Sequence, residues 1–128
     1  MIPLLAMGLL TATATHARDD FKAYRKQAVK NARTPEGKAY ERDLYPAIGP
    51  DLSRLLQKCI TDFPSPEGES FELVIKIDHW GEPKAMLARP LTDLSQCVAR
   101  GSWYFSFPLP DARFAKKGLA VLLPITIT

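Results

Sequence analysis

Between Phe71 and Asp78 apolar and polar side chains alternate along the chain. Phe71, Leu73, Ile75 and Ile77 fall on one side, Glu72, Val74, Lys76 and Asp78 on the other. A period of two predicts a half-buried strand. His79-Trp80-Gly81-Glu82 follows as a turn, with glycine available for positive φ, and Lys84–Ala88 returns as the second strand of a hairpin that Arg89-Pro90 stops. A third alternating run, Leu119, Val121, Leu123, Ile125 and Ile127, predicts the last strand. Pro124 lies within it, which places that strand at an edge or a bulge. Trp103, Phe105 and Phe107 also alternate, before Pro108-Leu109-Pro110 breaks the chain; aromatics in that pattern are expected in the core.

Elsewhere the period is helical. Phe21, Tyr24, Ala28 and Ala32 predict a helix over Asp19–Arg33, capped by Asp19 or Asp20 and ended at Thr34-Pro35, because a residue preceding proline avoids the helical region. Gly49-Pro50-Asp51 reads as a second helix start, followed by one apolar face of Leu52, Leu55, Leu56, Cys59, Ile60 and Phe63. Pro64-Ser65-Pro66-Glu67-Gly68 ends it. Thr92 caps a shorter helix, Asp93–Arg100, whose inward face is Leu94, Cys97 and Val98 and whose end is Gly101.

From residue 50 onward the order is therefore helix, strand, strand, helix, strand. The expected fold class is α+β: a small three-stranded antiparallel sheet with two helices on one face, plus an N-terminal helix. The chain of 128 residues is one domain in size. It divides into a leader (1–17), an N-terminal helix and linker (18–49) and the folded unit (50–128).

The leader is set apart by charge. Its seventeen residues contain no Asp, Glu, Lys or Arg; an apolar run, Ile2–Leu10, gives way to small residues through Ala17, and charge begins at Arg18-Asp19-Asp20. This pattern predicts a cleaved export signal, with cleavage near Ala14 or Ala17. The run is short of the roughly 20 apolar residues that span a bilayer, so no transmembrane anchor is expected after processing, and the expected location is the periplasm.

Export bears on the only two cysteines, Cys59 and Cys97. They can form a disulfide, remain buried thiols, or supply half of a metal site. Zinc takes about four ligands, and the one histidine outside the leader is His79, so a metal reading has little to draw on. Paired cysteines in an exported chain normally oxidise. Two helices on one sheet face would bring the two cysteines together, making a structural Cys59–Cys97 bridge geometrically reasonable.

The residues of the second half resemble a known pattern. Cys59 late in one helix, Gly81 in the hairpin, Cys97-Val98 in the next helix, Phe107-Pro108-Leu109-Pro110 and the closing Val121-Leu122-Leu123-Pro124-Ile125-Thr126-Ile127 are similar to the TonB C-terminal fold, particularly its cysteine-paired AgmX/PglI C-terminal type, over residues 50–128. The resemblance implies a module that accepts an extended partner segment along a sheet edge. The last strand is then the candidate edge, with pairing over Leu119, Ala120, Val121, Leu122 and Leu123, short of the missing donor at Pro124. With no inner-membrane helix or proline-rich spacer in this chain, the expected role is that of an adaptor for an envelope protein, not an energy transducer.

Charge supplies a second reading. The net charge of +3 is concentrated in Lys22, Arg25, Lys26, Lys30, Arg33, Lys38 and Arg42, a stretch interleaved with Asp19, Asp20, Glu36, Glu41 and Asp43. Such a segment is either a solvated helix face or a surface for an anionic polymer, lipid or acidic protein. No nucleophile–base pair, phosphate-cradling glycine loop or carboxylate cluster is present, so neither an enzyme, a cofactor, a small-molecule substrate nor a nucleic-acid partner is expected.

Overall fold

The computed structural model describes residues 20–128. The leader with its cleavage points, and the possible cap Asp19, lie outside the described residues. The chain runs from helix α1 (residues 20–32) into α2 (Pro35–Asp62), strands β1 (Ser70–Ile77) and β2 (Pro83–Arg89), helix α3 (Asp93–Ser102), a short 3₁₀ turn at Ala112–Phe114 and strand β3 (Leu119–Thr126). The sheet is antiparallel in the order β2-β1-β3, with Leu73 opposite both Ala88 and Leu123. This is the α+β class, with the three strands where alternation places them.

Local chemistry sets most boundaries as expected. The turn after β1 is organised by Asp78, whose Oδ1 accepts the backbone N–H groups of Trp80 and Glu82 at 2.9 and 3.0 Å, with Gly81 at φ 82°. Thr92 caps α3 in a reciprocal box with Ser95: each side chain accepts the other's backbone N–H, at 3.0 and 2.9 Å.

The stretch expected to be linker, from Thr34 to Gly49, is instead the first half of α2. Thr34-Pro35 is both a stop and a start. The Thr34 hydroxyl donates to the Asn31 carbonyl at 2.7 Å and accepts the Gly37 N–H at 3.0 Å, and Pro35 occupies the first turn. The helix then runs through Pro46 and Pro50. An interior proline costs about 3 kcal/mol, from a lost hydrogen bond and a clash with the carbonyl four residues back. Both prolines lie on the exposed side, where water can solvate the freed carbonyls of Arg42 and Pro46. Tyr40, Leu44 and Ile48, four residues apart, are buried on the other side. Burying Leu44 and Ile48 contributes about 1.5–3 kcal/mol each, which offsets the proline penalty and carries the helix through.

Three layers result. On one face of the sheet, Phe71, Leu73, Ile75 and Ile77 of β1 join Met86, Ala88, Val121, Leu123 and Ile125 and pack against Leu44, Ile48 and Cys59 of α2 and Leu94 and Val98 of α3. Alternation assigns Val74 to the solvent side, yet it is fully buried, because α1 covers the second face. Phe21, Ala28 and Ala120 are buried with it. The flanking polar residues of β1 meet α1 directly: Arg25 donates two hydrogen bonds to the Glu72 carboxylate, each 2.9 Å, and the Lys76 ammonium donates to Gln27 Oε1 at 2.7 Å.

The Arg25 guanidinium bonded to Glu72 holds that carboxyl below its ordinary pKa. A carboxyl depressed in the folded state adds stability above its unfolded pKa, and that stability is lost as pH falls through the lower, folded value. Amide exchange in α1 is therefore expected to accelerate on acidification through the range below pH 4.5, and Glu72→Gln should remove that dependence. Equal acid sensitivity in the variant would show that other groups hold α1.

Candidate functional site

The cysteines meet as the helix faces predict. Cys59 of α2 and Cys97 of α3 are bonded, with Cα atoms 5.8 Å apart and 38 residues between them in sequence. Cys59 is buried and Cys97 partly so, so the bridge is a staple between helices and has no exposed thiol chemistry.

Leu119–Leu123 lie on β3, which is an edge strand, as expected. The Ala120 N–H does not bond β1; it donates to Asn31 Oδ1 of α1 at 3.1 Å. At the far end, the Ile127 N–H bonds Glu69 O, and Ile127 O accepts the Gly68 N–H. Residues of an antiparallel edge strand point their backbone groups alternately inward and outward. Ala120, Leu122, Pro124 and Thr126 thus point outward. Of these, Ala120 is occupied by Asn31 and Pro124 has no N–H. Leu119, Ala120, Val121 and Leu123 are also buried, leaving Leu122 half-exposed. The β3 edge is blunted by a side chain and a proline.

The opposite edge differs. Glu72, Val74 and Lys76 are paired with Arg89, Leu87 and Ala85, so the same alternation turns Met86 and Ala88 outward on β2; at Lys84 the register shifts, with Ile77 opposite Pro83. Among the described residues, the Ala88 carbonyl accepts from the Arg89 guanidinium at 3.0 Å, and no side chain or loop engages the outward N–H groups of Met86 and Ala88. Two features separate the outer strands: Pro124, which is visible in the sequence, and Asn31, whose position beside β3 follows from the docking of α1 and carries no local sequence signal.

The basic stretch does not form one surface. Arg25 is paired with Glu72, and Arg42 faces Asp43 at 3.6 Å. Lys26 and Lys30 turn instead to an open cleft of about 970 Å³ between α1 and the segment 112–118, where Lys76, Arg113, Lys116 and Lys117 join them. Sequence proximity misses this group, because its members are spread from residue 26 to residue 117.

The aromatic run departs from expectation. Residues 103–111 form no strand; Phe107 is buried and Phe105 packs partly buried against the core, while Trp103 is exposed, as are Tyr104 and Trp80. The segment is held by Tyr40, whose hydroxyl donates to the Pro108 carbonyl at 2.9 Å, and burial pushes that phenol far above its ordinary pKa. No three His, Cys, Asp or Glu side chains among the described residues are grouped to hold a metal ion, and no described helix is long and apolar enough to cross a membrane. No family model matches the chain, and neither a curated protein nor a solved structure matches it.

Proposed function

We propose that this is an exported, periplasmic protein-binding module that accepts an extended partner segment along the outer edge of β2. The observation that carries the reading is the contrast between the edges: Asn31 and Pro124 blunt β3, while Met86 and Ala88 turn their N–H groups outward without a protein partner among the described residues. The Cys59–Cys97 bond suits an oxidising compartment. The helix–strand–strand–helix–strand order from α2 onward is the one the sequence pattern predicts, and it is the pattern on which the resemblance to TonB C-terminal domains rests. Strand addition draws affinity from backbone hydrogen bonds, each worth about 0.5–1.5 kcal/mol net, and specificity from alternate side-chain contacts. The module would be an adaptor with no chemistry of its own.

A photo-crosslinking residue at Leu87 should capture an envelope protein in cells, and one at Leu122 should not. Adducts from Leu122 alone, or none from Leu87, would reject this edge.

A further inference from the structure

We propose that the cleft between α1 and the segment 112–118 is a binding site for a compact polyanion bearing two or more phosphate groups. Six cationic side chains from three separate parts of the chain line it: Lys26 and Lys30 of α1, Lys76 of β1, and Arg113, Lys116 and Lys117 of the segment before β3. Among the described residues, no carboxylate lines it. Among the described residues Arg25, Arg54 and Lys84 face the carboxylates of Glu72, Asp51 and Asp78, and other cations such as Lys22 and Lys38 stand singly on exposed surface; of the six that converge on the cleft, only Arg113 has an acidic neighbour, Glu36 at 3.3 Å. Convergent like charges repel, and an anion between them removes that repulsion.

Lys76 is the most informative member. It rises from the sheet and is half-buried, yet its neighbours are neutral: Gln27 Oε1 at 2.7 Å and the face of Tyr24, with the ammonium 5.5 Å from the ring centroid. Desolvation pulls its pKa below the ordinary lysine value. A half-buried cation without a counter-ion is costly to keep, and an apolar side chain would fill the space more cheaply.

Neutral groups complete the wall. Asn31 Oδ1 is committed to the Ala120 N–H, so its amide NH₂ remains as a donor. Gly118 closes the loop at φ 74°, its N–H bonded to Phe114 O at 2.8 Å; a Cβ there would lie 2.8 Å from the Ile77 carbonyl. The bend that carries Lys116 and Lys117 is therefore set against the end of β1. A cleft of about 970 Å³ exceeds the needs of one phosphate and lies at the upper end of ligand-site volumes. A free polyphosphate and a phosphorylated lipid headgroup share this chemistry.

Calorimetric titration of the oxidised protein with inorganic tripolyphosphate at low salt should show saturable 1:1 binding. Lys30→Ala with Lys117→Ala should weaken it at least tenfold. Lys22→Ala with Lys38→Ala, an equal charge change outside the cleft, should weaken it less than twofold. Lys76→Met should lower affinity without lowering the thermal midpoint. Vesicles containing cardiolipin, whose headgroup carries two phosphates, against phosphatidylcholine alone separate the sources. Retention on the cardiolipin vesicles only, released by tripolyphosphate, supports the site with a headgroup ligand; tripolyphosphate binding without vesicle retention supports it with a soluble one. Absence of both, equal losses from the two lysine pairs, or a Lys76→Met variant that loses stability but not affinity would overturn the proposal.

Discussion

Replacing both cysteines, as Cys59→Ala with Cys97→Ala, is expected to lower unfolding free energy by about 4 kcal/mol, the loop-closure value for a bridge across this separation. Alanine suits both sites, since each lies in a helix and neither would gain a buried hydroxyl. For a domain whose net stability is about 5–15 kcal/mol, that is a large share of the total. Urea titrations of the oxidised protein, the reduced protein and the double variant measure it, and the last two should coincide within about 0.5 kcal/mol. The effect belongs mainly to the unfolded chain, so the native spectrum at low urea should not change. A loss under about 1 kcal/mol would mean that the helices are already held by packing in a compact denatured state.

The second large effect falls where a linker was expected. Leu44 sits midway along the first half of α2 and is fully buried in the main core. Leu44→Ala should cost about 2–5 kcal/mol, from lost transfer free energy and the cavity left behind. Tyr45, the next residue, is half-exposed, and Tyr45→Ala should stay within about 0.5 kcal/mol. Chemical denaturation of the pair separates a packed helix from a tether. Were residues 35–49 a loose connection, the two substitutions would be equally harmless.

These residues also show where sequence was readable and where it was not. The strands, the Asp78 turn, the Thr92 cap and the inward-facing cysteines follow from period and local hydrogen-bonding chemistry, which act over a few residues. The first half of α2 was hidden because Pro46 and Pro50 are judged by local propensity, while Tyr40, Leu44 and Ile48 act through a distant sheet. Val74 was misplaced for a similar reason: between Glu72 and Lys76 it reads as solvent-facing, and only the docking of α1 makes that face an interior. The resemblance pointed to β3 as a docking edge, and Asn31, almost ninety residues away in the chain, is what blunts it. The basic cleft has no sequence motif at all, since it is assembled by tertiary contact.

The Cys59–Cys97 bond closes a covalent ring that holds the end of α2, the β1–β2 hairpin and the start of α3. Both α1 and β3 lie outside it. The hairpin, with its open β2 edge, is thereby tied as a unit, whereas the cleft depends on parts of the chain that only noncovalent contacts return to it. Under mild stress the two surfaces should part company: the ring keeps its strand edge as α1 peels away, and the cluster of lysines disperses first.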